Sequence, residues 1–275
     1  MPREYDPEYV EARRVLLDAL EALGNHRKAV VLVGAQAIYL RVGAGSLLVA
    51  EFTTDGDLAL NPDVLDDEPL LAKGLFEAGF NLAVKPGTWA RDEVQIDLMV
   101  PMALGGPGRR SARLGPHGTE VARKAKGLEA AIVDNSIVTL TALDPSDARA
   151  IDVAVAGLGA LVVAKLHKLA EREPTPARWS PKDGLDVLRI LQAADLGQLG
   201  VTLARLECHE IAGPITNEAR PFLRNLFGKQ DAHGTAMAVR ASHEIEDAAT
   251  IAQSCETLAT RLLSAWEDAL SAHEV

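Results

Sequence analysis

Three aspartates have the residue type and spacing of ligands for a metal ion. Asp55 and Asp57 are two residues apart, so on an extended chain both carboxylates point to the same face. Asp97 lies between Ile96 and Leu98 in a second strand-like segment, where a lone carboxylate is costly to bury unless it binds something positive. Oxygen ligands of this kind suit hard divalent cations. The sequence therefore predicts that Asp55, Asp57 and Asp97, on neighbouring strands, hold two divalent cations.

Two simpler interpretations of these acids stay open at this point. Asp55 and Asp57 would form a solvated turn that follows Thr53 and Thr54. Asp97 would be an ordinary charge in a strand, with no ligand of its own. Both interpretations leave the chain without a metal site.

A short apolar segment before these acids predicts a turn that could bind phosphate. Residues 29–33 form a β-rich run that meets Gly34, and a helix is predicted from Ala35 to Arg41. Free backbone N–H groups at the start of a helix bind phosphate, so Gly34 and Ala35 are candidate nucleotide contacts. A Walker A loop is excluded, because the glycine-rich stretch at 105–110 does not end in Lys-Ser or Lys-Thr.

Hydropathy patterning predicts the elements that must position these residues. Strands are predicted at 29–33, 57–60, 94–100, 137–140 and 151–153, and helices at 7–24, 35–41, 64–78, 157–173, 181–194, 198–211, 216–227 and 236–272. Ser180 and Thr216 are predicted N-caps, the former with Pro181 at the first helical position. Almost no strand pattern follows residue 157. We therefore predict an α+β fold, with a mixed sheet and flanking helices in a domain at 1–155 and an all-helical domain at 156–275.

Composition and charge limit the possible partners and the compartment. The 275 residues include 28 Lys and Arg against 39 Asp and Glu, a formal net charge of −11, so DNA binding through overall positive charge is excluded. Cys208 and Cys255 have no metal-ligand spacing, fit a reducing compartment, and are predicted to be buried in helices. The N-terminus lacks the apolar region of a signal peptide, and the longest uncharged apolar run, 153–164, is too short to span a bilayer. A cytoplasmic protein without membrane contact is predicted.

One segment departs from the overall negative charge. Between residues 109 and 126, six cationic side chains accompany a single acid, Glu120, which gives a local net charge of +5. The six are Arg109, Arg110, Arg113, Arg123, Lys124 and Lys126. They are typical either of a solvated loop or of a surface that holds the phosphates of an RNA. No aromatic residue is interleaved, so base stacking is not predicted here.

The order of these motifs resembles the DNA polymerase β-type nucleotidyltransferase superfamily. That pattern is a hydrophobic strand, Gly-Gly or Gly-Ser, an Asp-x-Asp pair and a third Asp on a later strand. It is matched here by Val31-Leu32-Val33-Gly34-Ala35-Gln36, Asp55-Gly56-Asp57-Leu58 and Ile96-Asp97-Leu98. In the C-terminal half, residues 163–172 and Lys182-Asp183-x-x-Asp186 are similar to the AbiEii branch, the toxins of AbiE and MenAT toxin–antitoxin systems. The resemblance covers roughly residues 28–190. Ala35 departs from it, because no side-chain hydroxyl is available for phosphate there and only the backbone N–H remains.

The resemblance implies an enzyme that transfers a nucleoside monophosphate from an NTP to an acceptor hydroxyl. It implies Mg²⁺ or Mn²⁺ at the three aspartates, with Asp97 also able to take the proton of the acceptor. Lys165, Arg172 and Lys182 would hold the nucleotide, and Asp183 would orient the nucleotide or Lys165. The acceptor implied is the 3′ end of a tRNA, whose modification would block translation. A cognate antitoxin protein is the implied partner.

Other functions stay open at the level of the sequence. A non-catalytic module that binds a nucleotide or a partner protein is favoured by Ala35 alone, whereas the three acids and Lys165 argue against it. An enzyme of the same chemistry could instead modify a small molecule such as an aminoglycoside antibiotic. The ammonium of Lys165 has two candidate counter-ions, the NTP phosphates and Asp183. Asp183 itself could simply stabilise the first turn of its helix.

Overall fold

The fold is α+β, with a mixed sheet in the N-terminal half and helices in the C-terminal half, which confirms the predicted class. The computed structural model describes residues 5–43, 52–172, 175, 179–242 and 246–273. The chain divides into two compact units, one formed by 1–37 and 51–156 and the other by 38–50 and 157–275.

The described part of the first unit contains a mixed sheet of eight strands. They are β1 (Val30–Val33), β2 (Asp55–Leu60), β3 (Asn81–Leu82), β4 (Thr88–Arg91), β5 (Val94–Pro101), β6 (Arg123–Ala125), β7 (Asn135–Thr141) and β8 (Ala150–Ala156). Their order is β3-β4-β5-β2-β1-β8-β7, and β6 pairs with β5. At the centre, β1 is antiparallel to β2 and parallel to β8, while β2 is parallel to β5.

The described part of the first half of the chain contains four α-helices. They are α1 (Pro7–Ala22), α2 (Gly34–Val42), α3 (Leu71–Glu77) and α4 (Glu129–Val133). Asp6 caps α1 by accepting a 2.8 Å hydrogen bond from the N–H of Glu8. Leu16 of α1 packs against the sheet at Gly56, where an added Cβ would lie 3.2 Å from its side chain. Because residues alternate along a strand, α1 covers the face opposite to Asp55 and Asp57.

Six helices form the described part of the second half of the chain. They are α5 (Leu158–Arg172), α6 (Pro181–Ala193), α7 (Leu196–Glu207), α8 (Gly213–Phe227), α9 (His233–Ser242) and α10 (Ala248–His273). Leu161, Leu188, Leu203, Leu223 and Trp266, one from each of five helices, are almost completely buried. The helical unit thus has a hydrophobic core of its own.

Three predicted helix features are wrong, each for a local reason. The helix predicted at 64–78 begins only at Leu71, because the residue before Pro69 disfavours helical geometry. The helix predicted at 236–272 is two helices, since Asp247 starts a new one by accepting a 3.0 Å bond from the N–H of Thr250. Thr216 is no N-cap: it lies inside α8 and donates a 2.8 Å bond to the carbonyl of Ala212. Ser180 does precede α6 at the N-cap, although its side chain makes no capping bond.

The two cysteines differ in environment, and one prediction about them is wrong. Cys255 is buried in α10, and burial raises the pKa of its thiol to about 12. Cys208 is exposed, because α7 ends just before it and leaves it at the helix terminus. No helix in the described ranges combines the length and the apolar character needed to cross a bilayer.

Candidate functional site

The structure brings the three aspartates to one face of the sheet. Asp57 and Asp97 are register partners on the adjacent parallel strands β2 and β5, whose axes lie about 4.8 Å apart in such sheets. Asp55 precedes Asp57 by two residues and is paired with Gln95, so it shares the same face. Asp57 and Asp97 are half-buried and Asp55 is exposed. Three carboxylates thus line a face that α1 does not cover.

Gly34 brings the turn between β1 and α2 against the carboxylate of Asp57. Its φ of +71° is a conformation that favours glycine. A Cβ at this position would lie 2.1 Å from Oδ2 of Asp57, which leaves no space for any side chain. The first turn of α2, with the buried Ala35, therefore begins directly beside this acid.

Asp97 is held by one hydroxyl and two cations. The hydroxyl of Thr88 donates to Oδ1 at 2.6 Å, and Nη2 of Arg123 donates to Oδ2 at 2.6 Å. Nζ of Lys85 approaches the same Oδ2 at 3.3 Å. Burial alone would raise the pKa of Asp97, but the charge of Arg123 and these hydrogen bonds hold it below its ordinary value. Asp97 is consequently ionised at neutral pH.

Asp55 is fixed by a chain of hydrogen bonds that begins at a buried arginine. The hydroxyl of Thr53 donates to Oδ1 of Asp55 at 2.6 Å, and Nε2 of Gln36 donates to the Asp55 carbonyl at 3.0 Å. Nε of Arg13 donates to Oε1 of Gln36 at 2.7 Å, and both side chains are buried. Arg13 also donates to the Tyr9 hydroxyl and to the carbonyl of Thr141. This chain fixes the backbone at the start of β2.

The residues that support the acids were not predicted from the sequence in this role. Thr53 lies two residues before Asp55, and threonine hydroxyls commonly form hydrogen bonds with groups at such short spacings. Its bond to Asp55 could therefore have been predicted. Arg13 gives no such signal, because it occupies a polar position in an amphipathic helix. Thr88 and Lys85 precede Asp97 by nine and twelve residues, and Arg123 follows it by 26, so their contacts depend on the register of β4 and β6 against β5.

The acids fit a divalent cation in chemistry, and their present contacts restrict how one would bind. Carboxylate oxygens are the ligands that Mg²⁺ and Mn²⁺ prefer. Among the residues with described positions, no three Asp, Glu, His or Cys side chains converge in a metal-binding arrangement. Both oxygens of Asp97 already accept hydrogen bonds from other side chains. Oδ2 has two such contacts, so a cation bound at this oxygen would have to replace the contact with Arg123 or Lys85.

A second cluster of charges lies within the helical unit, around Lys165. Its Nζ donates to Oδ1 of Asp183 at 2.8 Å and to Oδ2 of Asp186 at 2.7 Å. Arg172 also donates to Asp183, at 2.8 Å, and Lys168 pairs with it at 3.0 Å. Burial alone would lower the pKa of Lys165, but the two carboxylates raise it well above its usual range. Burial alone would raise the pKa of Asp183, but Lys165 and Lys168 hold it far below its usual range.

The cluster arises from helical spacing on two facing helices. Lys165, Lys168 and Arg172 follow one another by three and four residues on α5, so they share a face. Asp183 and Asp186 are three residues apart in the first half of α6. A separate contact joins Arg189 to Oδ1 of Asp186 at 3.2 Å and to the hydroxyl of Tyr39 at 3.1 Å. Lys182 is half-buried in the first turn of α6, next to Asp183.

The cationic segment 109–126 separates into exposed and internal residues. Arg109, Arg110, Arg113 and Lys126 are exposed. Lys124 is buried, and its Nζ donates to the carbonyl of Gly106 at 2.6 Å. Arg123 is bound to Asp97. The exposed cations of this segment, Arg109, Arg110, Arg113 and Lys126, form the surface that could meet a polyanion, whereas Lys124 stabilises the loop.

Comparison with known proteins leaves the family open. No protein-family model, curated protein or solved structure matches this chain. Membership of the nucleotidyltransferase superfamily therefore stays a prediction from the motifs.

Proposed function

We propose that this protein is a metal-dependent nucleotidyltransferase that moves a nucleoside monophosphate from an NTP to an acceptor hydroxyl. One observation carries the proposal: Asp57 and Asp97 are register partners on adjacent parallel strands, and Asp55 lies on the same face. Three acids on one face of two adjacent strands concentrate negative charge there, and this charge favours cations, of which Arg123 and Lys85 already contact Asp97. A divalent cation bound to a nucleotide is the counter-ion that this motif order favours.

The proposed reaction is a displacement at the α-phosphorus of the NTP. The acceptor oxygen forms a bond to this phosphorus, the bond to the oxygen that leads to the β-phosphorus breaks, and pyrophosphate leaves. The proton of the acceptor hydroxyl passes to a base or to water. Mg²⁺ or Mn²⁺, when bound, supplies Lewis-acid stabilisation of the charge that develops on the phosphoryl oxygens. Asp55, Asp57 and Asp97 are the residues that would hold it.

The low pKa of Asp97 favours one of its two proposed roles. A general base works best with a pKa near the working pH, whereas a metal ligand has to be ionised. The contacts with Arg123 and Thr88 keep Asp97 ionised. We therefore assign Asp97 to ligand binding ahead of proton transfer. Gly34 and the backbone N–H of Ala35 are the proposed phosphate contacts on the same unit.

The helical unit is proposed to act on the nucleotide through Lys165, Arg172, Lys182 and Asp183. The ion pairs among the described residues join four cations, Lys165, Lys168, Arg172 and Arg189, to two carboxylates, Asp183 and Asp186. The excess of positive charge supports binding of an anion such as a triphosphate. Lys165 itself is saturated by two carboxylates, which supports a role in orienting Asp183 over direct contact with phosphate.

An RNA acceptor is the proposed substrate, and the exposed Arg109, Arg110 and Arg113 support it. The 3′ end of a tRNA, a cognate antitoxin protein and a cytoplasmic location belong to the same proposal. A small-molecule acceptor such as an aminoglycoside is the other outcome that the acceptor test below distinguishes.

The test is transfer of label from each of the four NTPs, radiolabelled at the α-phosphate, to total tRNA and separately to an aminoglycoside, in the presence of Mg²⁺. It is run with the wild-type protein and two variants. Asp57→Asn should lose at least two decades of rate while keeping its circular-dichroism spectrum, because a preorganised charge at the reacting group is lost. Asp67→Asn is the matched control: it changes an exposed acid that is not one of the three proposed metal ligands, and it should retain the wild-type transfer rate. A folded Asp57→Asn protein with normal turnover would contradict the proposal. If label appears on an aminoglycoside and none on tRNA, the proposed chemistry stands and the acceptor is a small molecule.

A non-catalytic nucleotide-binding module is the second candidate. The observation that favours it is the saturation of Asp97 by Thr88, Arg123 and Lys85, which opposes a metal there. Binding of a labelled NTP without transfer to any acceptor would support this candidate against the enzyme.

A further inference from the structure

We infer that Arg123 and a divalent cation compete for the carboxylate of Asp97, so that Arg123 sets the affinity of the metal site. Arg123 is then a positioning residue, with Lys85 as a weaker second competitor. The inference rests on the proposed function only in assuming that a metal binds at Asp55, Asp57 and Asp97. It adds a determinant of affinity that lies outside the three acids.

Arg123 occupies the space next to Asp97 that a metal ligand needs to keep open. Its Nη2 lies 2.6 Å from Oδ2, and the side chains of Arg123 and Asp97 are only 22% and 18% exposed. Lys85 reaches the same oxygen at 3.3 Å from a position that is 61% exposed. Oδ2 therefore faces two protein cations, and the buried one makes the shorter contact.

The backbone places Arg123 on the same face of the sheet as the acids. β6 is parallel to β5, with Arg123 as the register partner of Met99, which lies two residues after Asp97. The N–H of Lys124 donates to the carbonyl of Arg110 at 2.6 Å, so β6 is also held from its other side. Because Arg123 is fixed to the sheet, its guanidinium competes at a high effective concentration.

One further property of the Arg123 guanidinium favours its displacement from Asp97 by a metal ion. Its Nε is buried and has no hydrogen-bond partner among the described residues. A buried donor without a partner is unfavourable, so the carboxylate contact is the main attraction that holds the group. Mg²⁺ binds oxygen at about 2.0–2.1 Å, and a second cation at the same oxygen is repelled. Metal and guanidinium therefore weaken each other's binding at Oδ2.

The test measures metal binding directly, without turnover. Mn²⁺ is titrated into the wild-type protein and into Arg123→Gln, Arg123→Lys and Lys85→Gln, with free Mn²⁺ followed by electron paramagnetic resonance. We expect Arg123→Gln to bind Mn²⁺ about tenfold more tightly, since removal of a competing charge acts at short range in a half-buried site. Lys85→Gln should give a smaller gain, and Arg123→Lys should stay near the wild type because it keeps the competing charge.

Arg220→Gln is the matched control. Arg220 pairs with Glu207 in the helical unit at 3.2 Å, with side-chain exposures of 28% and 11%, so the variant removes a similar contact far along the chain. Its Mn²⁺ affinity should equal that of the wild type. If Arg123 had a purely structural role, Arg123→Gln would bind Mn²⁺ more weakly than the wild type, because loss of a structural contact would distort the metal site.

The outcomes separate the inference from the function. If the wild type binds Mn²⁺ in a manner that Asp57→Asn abolishes, and neither Arg123→Gln nor Lys85→Gln binds more tightly, the inference is overturned and the metal site stands. If no variant and no wild-type sample binds Mn²⁺ up to millimolar concentration, both are overturned. Should Arg123→Gln fail to fold, Lys85→Gln decides, since Lys85 is exposed and its loss leaves the sheet intact.

Discussion

Lys165 is the residue whose replacement has the clearest expected consequence for stability. Its ammonium is buried and bonds two carboxylates on α6. Loss of one partner of a buried ion pair costs about 3–5 kcal/mol when the other charge is left uncompensated. Here Lys168, Arg172 and Arg189 still pair with the two carboxylates, so the expected loss of stability is smaller than that. The pairing with Asp183 and Asp186 thus gives Lys165 a structural role beside any catalytic one.

Lys165→Met should therefore lower the melting temperature and also reduce nucleotide transfer by the protein that remains folded. Methionine keeps the packing of the aliphatic stem, so the effect reports the charge. Melting temperature and transfer rate are measured on Lys165→Met, Asp183→Asn and the double variant. A less stable protein whose folded fraction keeps full transfer would make Lys165 purely structural. Unchanged stability together with full activity would exclude both roles.

Asp183 predicts how stability depends on pH. Its pKa in the folded protein is held far below the value of about 3.9 expected for an unfolded aspartate. A carboxyl with a lowered folded pKa adds stability above its unfolded pKa, and this contribution is lost as the pH falls through the folded value.

Urea unfolding of the wild type should consequently show a free energy that falls as the pH is lowered below about 4. Asp183→Asn should be less stable at pH 7 and should lose part of this acid dependence. A wild-type stability that rises on acidification would contradict the ion cluster as described.

Gly34, at the turn from β1 into α2, determines how closely this turn approaches Asp57 of the candidate site. The turn from β1 into α2 has a left-handed φ of +71°, and a methyl group there would overlap Oδ2 of Asp57 at 2.1 Å. Substitution therefore combines backbone strain with displacement of a proposed ligand.

Gly34→Ala should lose transfer activity and at least about 1 kcal/mol of stability. Gly43→Ala is the matched control: Gly43 has a φ of +69°, but an added Cβ would meet nothing within 4 Å. Both variants share the backbone strain, so a difference in transfer rate between them isolates the contact with Asp57. Equal activity of the two proteins would show that the close approach of Gly34 has no role in the site.

The central strands could be predicted from the sequence, whereas the short strands and the contacts between strands could not. The alternation around Asp57 and Asp97 and the apolar run before Gly34 locate the central strands and the shared face of the acids. β4 and β6 were missed, because strands of three or four residues carry too little periodicity. The pairing of Arg123 with Asp97 depends on the register of β5 and β6, which no local pattern specifies. The sequence places Arg13 at a polar helix position, but it is buried by Tyr9 of its own helix and by Gln36 and Thr141 from two other segments.

On the scale of the whole molecule, the charge distribution favours selective contact with a polyanion. A net charge of −11 repels nucleic acid in general, while Arg109, Arg110 and Arg113 form an exposed positive region. We therefore expect the proposed RNA acceptor to approach through this region.

Replacing Arg109, Arg110 and Arg113 by Ala should weaken tRNA binding and flatten its salt dependence. Each lost phosphate contact lowers the slope of log affinity against log salt concentration by about 0.7 to 0.9. Lys73, Arg205 and Arg261 are exposed cations elsewhere, and their triple alanine variant changes the net charge equally. Affinity is measured by filter binding over a series of KCl concentrations. The same slope in both triple variants would exclude the arginine region as the RNA contact and favour a small-molecule acceptor.

The contrast between the two cysteines makes the native chain suitable for selective fluorescent labelling. A maleimide dye reacts with the thiolate, and a pKa of about 12 leaves Cys255 with roughly one thiolate in 10⁵ molecules at pH 7. Cys208 is exposed at the end of α7 and accepts the dye alone. One fluorophore per molecule is obtained without mutagenesis, so polarisation or single-molecule recordings can be made on the unaltered sequence.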